Sequence, residues 1–157
     1  MLYELDPLIE VNIVKRPSRH IKTPYVADIL YKNKEYLAHT PSLGCCGLSD
    51  NGSNVLVGAS KNKKSKCDYS VYLSKFSDNV HPTSYIYVGI HPKLAEYLAE
   101  NALKQNLLSK LQNIRSYKRE TQIYIENKIH SRFDFSGIDE NGCPFLMEIK
   151  KCSFSRL

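Results

Sequence analysis

Arg132-Phe133-Asp134-Phe135-Ser136-Gly137-Ile138-Asp139-Glu140-Asn141-Gly142-Cys143-Pro144-Phe145-Leu146-Met147-Glu148-Ile149-Lys150-Lys151 decides how the second half of this chain folds. Two strand-like runs, Phe133 to Ile138 and Phe145 to Lys150, flank Asp139-Glu140-Asn141-Gly142. Asn-Gly between such runs is a strong hairpin signal. Residues two apart in a strand share a face, so Glu148 and Lys150 project together while Ile149 turns to the opposite layer. Loop length then decides where Asp134 points. A three-residue loop, Glu140 to Gly142, sets Asp134 directly across from Glu148 on the same face. A two-residue Asn-Gly loop sets it across from Ile149 instead, on the wrong face.

Two carboxylates and a lysine on one face admit two readings. One is a surface ion pair between Lys150 and either acid. The other is a metal site, in which Asp134 and Glu148 hold Mg²⁺ (or Mn²⁺) through hard oxygen ligands. Such a metal polarises a phosphodiester and lowers the pKa of a bound water. The lysine would orient that water or neutralise charge developing on the phosphate. By strand alternation Arg132 shares the face of Asp134, which makes it a candidate phosphate clamp.

Upstream of the hairpin, Thr121 to Ile125 reads as a strand, preceded by the basic stretch Arg115, Lys118 and Arg119. Before that lies the clearest helix signal in the chain. Pro92 suits a first helical turn. Leu94, Leu98 and Ala102 recur every four residues, and Ala95, Ala99, Leu103 and Leu107 widen the stripe. Asn106 interrupts that stripe. Glu96 and Glu100 near the start and Lys104 and Lys110 near the end match the helix dipole. Helix followed by sheet gives an α/β (α+β) second half.

The first half reads as strands. Short apolar runs between Leu8 and Ser60 are separated by Arg16-Pro17-Ser18, Lys32-Asn33-Lys34 and Asp50-Asn51-Gly52-Ser53. That spacing suggests a small antiparallel sheet or barrel. The cationic loop Lys61 to Lys66 follows, and Tyr69 to Phe76 and Tyr85 to Ile90 are further strands. Arg16, Arg19, His20 and Lys22, with Tyr25 beside them, fit a nucleic-acid face in which cations follow phosphates and aromatics stack on bases. They equally fit a solvated strand edge. His39 and His91 fit hydrogen-bonded structural roles better than phosphate contacts.

The totals narrow the class. At 157 residues with 42% apolar and 24% charged side chains, the chain can bury a core. A net charge of +6 favours a polyanionic partner. No apolar run approaches the roughly 20 residues of a membrane span, and the acidic start Met-Leu-Tyr-Glu-Leu-Asp lacks a signal-peptide pattern. An intracellular protein without a membrane partner is expected. Five cysteines without a Cys-x-x-Cys pair argue against zinc.

Arg119-Glu120-Thr121, then Ser131-Arg132-Phe133-Asp134-Phe135, then Met147-Glu148-Ile149-Lys150-Lys151 resemble, in order and spacing, the sugar fermentation stimulation (SfsA-like) proteins of the PD-(D/E)XK nuclease-like group. Val88-Gly89-Ile90-His91, Arg19, Val26-Ala27-Asp28, Ala38-His39-Thr40-Pro41-Ser42 and Gly44 extend the likeness upstream. Where the family commonly carries asparagine, this chain has Ser42 and Glu96. The resemblance implies an N-terminal OB-like β-barrel, expected over residues 1–66. A restriction-endonuclease-like α/β domain is expected over 67–157, shortened at its C-terminus because seven residues follow Lys150. It implies DNA (or RNA) binding and Mg²⁺-dependent hydrolysis. It assigns Asp134 and Glu148 as metal ligands, Lys150 as the catalytic lysine and Glu120 as a helix-side acid. A homo-oligomer is one way to cover the shortened sheet. Two functions follow: a metal-dependent nuclease, or a binding or regulatory protein that keeps the fold without turnover.

Overall fold

The computed structural model describes residues 2–43, 45–77, 84–111, 113–125 and 129–150. Gly44, Lys151 and Cys152, which entered the sequence reading, lie outside them. The fold is a sheet-rich mixture of α and β, as expected in class, and divides into two compact units: residues 5–94, and residues 95–150 with residues 2–4.

The first unit contains β1 (Ile9–Lys15), β2 (Val26–Tyr31), β3 (Lys34–His39), β4 (Asn54–Ala59), β5 (Tyr69–Ser77) and β6 (Tyr85–Gly89). β1 pairs antiparallel with β2 and β4, β2 with β3, and β4 with β5. A short parallel contact, Ala38 and His39 against Tyr69 and Ser70, joins β3 to β5 and completes a circuit of five strands. Among the described residues β6 pairs with β5 alone. Alternation supplies the core, since Val11, Ile13, Ala27, Ile29, Ala38, Val55, Val57 and Val71 all turn inward. The β2–β3 turn is tight because Lys32 and Asn33 both take positive φ, 47° and 60°, as a two-residue primed hairpin requires. From sequence, the first domain was expected to end at Lys66. Pairing of β5 with both β4 and β3 instead carries the first unit through β6 to Leu94.

The second unit holds α1 (Pro92–Lys104) from Ala95 onward, then β7 (Ile114–Ile125), β8 (Ile129–Asp139) and β9 (Pro144–Met147), paired antiparallel in the order β7-β8-β9. The helix stops earlier than its apolar stripe suggests, and Asn106 is the reason. Its φ of 53° is left-handed; Asn106 N–H bonds Leu103 O at 3.1 Å and Leu107 N–H bonds Ala102 O at 2.9 Å, a Schellman ending. β7 starts earlier than expected and runs through the basic stretch. Arg119 is accommodated there because Glu96 and Glu100 of α1 accept its guanidinium at 2.8 and 2.7 Å. Glu100 also accepts the Tyr117 hydroxyl at 2.9 Å. These bonds, with buried Ala102, Leu103 and Phe135, fasten the helix to the sheet.

Candidate metal centre and nucleic-acid face

The β8–β9 hairpin has the odd-length loop. Asp139 N–H bonds Cys143 O at 3.0 Å, and Gly142 N–H bonds Asp139 O at 3.1 Å, with Gly142 at φ 82°. Three residues, Glu140 to Gly142, therefore lie between the closing pair, a loop in which glycine takes the left-handed position. The register is Phe135 opposite Met147 and Ser136 opposite Leu146. One step further it sets Asp134 across from Glu148. β9 itself ends at Met147, short of the expected Lys150, because the Asp134 carboxylate takes the Ile149 backbone N–H at 2.6 Å. The Lys150 ammonium lies 2.7 Å from Glu148 Oε1. That hydrogen bond, aided by the charges of Glu148 and Asp134, holds Lys150 above the ordinary lysine range. Lys150 thus presents a cation and a hydrogen-bond donor beside Glu148.

The neighbouring strand adds a third acid. Arg119 pairs with Phe135 and Thr121 with Phe133, so the position between them, Glu120, falls opposite Asp134. Glu120 has a left-handed φ of 52° inside a strand and is ion-paired with Arg132 at 3.0 Å. Arg132 therefore reaches toward an acid in this structure. A concavity of about 600 Å³ in this sheet is lined in part by Thr121, Ser136, Ile138, Phe145 and Leu146, and none of Glu120, Asp134 and Glu148 lines it. Its lining is mainly apolar and does not suit a phosphate backbone, so the row of acids is the candidate site. Among the described residues no three His, Cys, Asp or Glu side chains are gathered closely enough to hold an ion by themselves.

In the first unit the basic cluster separates into distinct roles. Arg16 is 8% exposed at its side chain. Its Nε donates to Pro24 O at 2.8 Å, Nη2 to Ser42 O at 2.7 Å, and Nη1 to Ser49 O at 3.2 Å and to Ser49 Oγ. Its donors are spent on two loops. Arg19 bonds Asp28 at 3.2 Å and Glu35 at 2.6 Å. Lys22 and Tyr25 stand exposed on the same β1–β2 connection, and His20 is exposed beside them. His91 stacks on Tyr72, and burial lowers the pKa of His39, as fits structural histidines.

Asp28 is the residue whose importance sequence reading missed. It is 1% exposed and accepts hydrogen bonds from Ser18 Oγ (2.5 Å), Arg19 N–H (3.0 Å) and Arg19 Nε (3.2 Å). Burial works to raise its pKa, but these bonds outweigh it and hold the carboxyl below its ordinary value. The available signal was an aspartate inside the otherwise apolar run Val26-Ala27-Asp28-Ile29-Leu30.

No family model matches the chain. Individual relatives do. A sugar fermentation stimulation protein homolog of Trichodesmium erythraeum is 34% identical over 152 residues, 95% of this chain and 56% of that protein. The chain belongs to the sugar fermentation stimulation protein family. A homolog from Nostoc sp. is 29% identical over 157 residues, 99% of this chain and 61% of its own length. Among solved structures, Pyrococcus furiosus SfsA in complex with Ca²⁺ superposes with a TM-score of 0.71 at 21% identity, covering 95% of this chain and 56% of that one. The fold is therefore that of SfsA, and the chain spans just over half the length of the family members it matches. No helix among the described residues is long and apolar enough to cross a membrane.

Proposed function

We propose that this chain binds nucleic acid and hydrolyses phosphodiesters with a divalent cation. In this reading the first unit is an OB-like barrel and the second a PD-(D/E)XK nuclease-like unit. The observation that carries it is the hairpin register that sets Asp134 across from Glu148, with the Lys150 ammonium on the same carboxylate. The solved relative with Ca²⁺ supports a divalent ion. The donors present fit one: they are all oxygens, and Mg²⁺ is commonly held by one or two carboxylates with water completing its shell. The barrel reading rests on the five-strand circuit and on the exposed Lys22 and Tyr25 in the β1–β2 connection, a position from which OB folds contact oligonucleotides.

A divalent ion bound there would polarise the phosphodiester and supply a water of lowered pKa. Asp134 and Glu148 would hold it, and Glu120, across from Asp134, would support it. Lys150, protonated, donates to the water or to a phosphate oxygen and neutralises charge as it develops. Lys22 follows the phosphates and Tyr25 offers a ring for stacking. DNA is the expected substrate, with RNA as the second.

The test is cleavage of plasmid DNA and labelled single strands with Mg²⁺ or Mn²⁺, comparing the parent with Asp134→Ala and Lys150→Ala. Cleavage by the parent alone, stopped by chelation, supports the reading; equal cleavage by all three rejects the site. A second reading, a binding protein without turnover, is favoured by the ion pairs that close Lys150 on Glu148 and Arg132 on Glu120. Binding without cleavage by the parent would establish it.

A further inference from the structure

The β1–β2 and β3–β4 connections come from different strand pairs, and neither has regular structure along most of its length. Left to themselves, such loops are the mobile part of a fold. One side chain joins them. The Arg16 guanidinium reaches Pro24 O at the far end of its own connection, then Ser42 O and both Ser49 oxygens at the two ends of the other. The Arg16 backbone N–H adds a bond to Asn51 Oδ1 at 2.7 Å. Pro24 O accepts a second bond, from Thr40 Oγ1 at 3.1 Å, and Tyr25 O takes the Thr40 N–H at 2.8 Å. The clasp thus closes on the residue next to Tyr25, which is 43% exposed.

A guanidinium this enclosed is a poor phosphate contact. Its fork makes several directed bonds at once, which a lysine ammonium cannot reproduce from one point. Downstream, Ser18 and Arg19 are fixed on Asp28. The stretch carrying Lys22 and Tyr25 is therefore held at both ends.

We propose that Arg16 is a positioning residue for nucleic-acid binding: it clasps the β1–β2 and β3–β4 loops into one preformed surface and so presents Lys22 and Tyr25 to the strand. This rests on the nucleic-acid reading above and assigns to Arg16 a role different from a phosphate contact. Ordering the loops beforehand spares that cost at binding. A bare charge contact would survive replacement by lysine; the clasp would not.

The chain has no tryptophan, so Tyr25→Trp creates a single fluorescent reporter at the surface in question. Parent, Arg16→Lys and Arg16→Ala would each be measured with and without that reporter. Binding to a labelled single-stranded oligonucleotide and the anisotropy of the indole without nucleic acid are the two readouts, with circular dichroism reporting the fold. The expected result is a folded Arg16→Lys protein whose affinity falls about tenfold, as far as that of Arg16→Ala, as loss of preorganisation at a few side chains implies. The anisotropy of its reporter falls even in the absence of oligonucleotide. Arg16→Lys affinity within twofold of the parent, with the indole anisotropy unchanged, overturns the proposal. If Arg16→Lys fails to fold, Ser49→Ala, which removes one acceptor of the clasp, must lower both readouts in the same direction, and no change in either overturns the proposal. A parent that binds no oligonucleotide rejects the nucleic-acid reading, and with it the functional half of this one; the reporter's anisotropy then decides the clasp alone.

Discussion

Asp134 on β8 stands across the hairpin from Glu148, and its carboxylate takes the backbone N–H of Ile149, one residue further on. If these acids hold a divalent ion, the ion must stabilise the folded state, because the unfolded chain has no such arrangement. At about a hundred times its dissociation constant a ligand adds roughly 2.7 kcal/mol. Mg²⁺, Mn²⁺ or Ca²⁺ should therefore raise the thermal midpoint of the parent and leave Asp134→Asn unmoved. An equal rise in both proteins would place the ion elsewhere.

The protonation of Lys150 sets a second expectation. Its folded pKa is raised, so the charged form persists at every pH below the ordinary value of 10.5 and is lost only as pH rises beyond it. Cleavage should show no alkaline limb assignable to Lys150 below that pH. A descending limb near neutrality that vanishes in Lys150→Arg would contradict the structure.

Asp28 supports the β1–β2 loop with a charge. Its folded pKa is lowered, so its contribution is present above the unfolded value and fades as pH falls through 3.8 toward the folded value. Asp28→Asn should lose about 2 kcal/mol at pH 7, the order of a buried hydrogen-bond set to a charged group. Denaturant midpoints of parent and variant should converge as the solution is acidified below about pH 4. Curves that stay parallel would mean that the charge contributes nothing.

Gly137 leaves no room. A Cβ there would lie 2.3 Å from Ser116 O and 2.6 Å from the Phe145 ring. The Ser116 carbonyl belongs to backbone and cannot swing aside as a side chain can, so Gly137→Ala should cost about 1–3 kcal/mol as overpacking. A midpoint shift within error would show that β7 and β9 can yield.

Asn106 ends α1 in a left-handed conformation. Asn106→Gly relieves that strain and should stabilise slightly, while Asn106→Ala should destabilise by about 1 kcal/mol. The difference between the two variants in thermal unfolding is the measurement, and the opposite order would reject the capping role.

Legibility from sequence differed by element. β1–β6 followed from alternation and turn residues because one face of each strand had to meet a common core. The hairpin loop was legible only as a choice between two lengths, since Asn-Gly supports either; the Asp139–Cys143 closing pair and the strand register decided it. The end of α1 was misjudged because Leu107 continues the apolar stripe, whereas a single asparagine's backbone overrides it. Of the basic cluster, Lys22 and Tyr25 stand exposed, as either reading of that cluster requires. Arg16 could not be read correctly, because the carbonyls that claim it come from residues 8 to 33 positions away. The compact units divide after Leu94 rather than after Lys66 for a similar reason: β5 belongs by pairing to strands that precede the cationic loop.

The length of the Glu140–Gly142 loop has an evolutionary consequence. Removing one codon there would leave a hairpin that still folds, since a two-residue Asn-Gly turn is also favourable. It would also rotate Glu148 and Lys150 to the far side of their strand. A lineage could lose the proposed site this way in one step, with Asp134, Glu148 and Lys150 all retained. Among relatives, counting residues between the aspartate and the glutamate is therefore a sharper guide to a working site than checking that both are present.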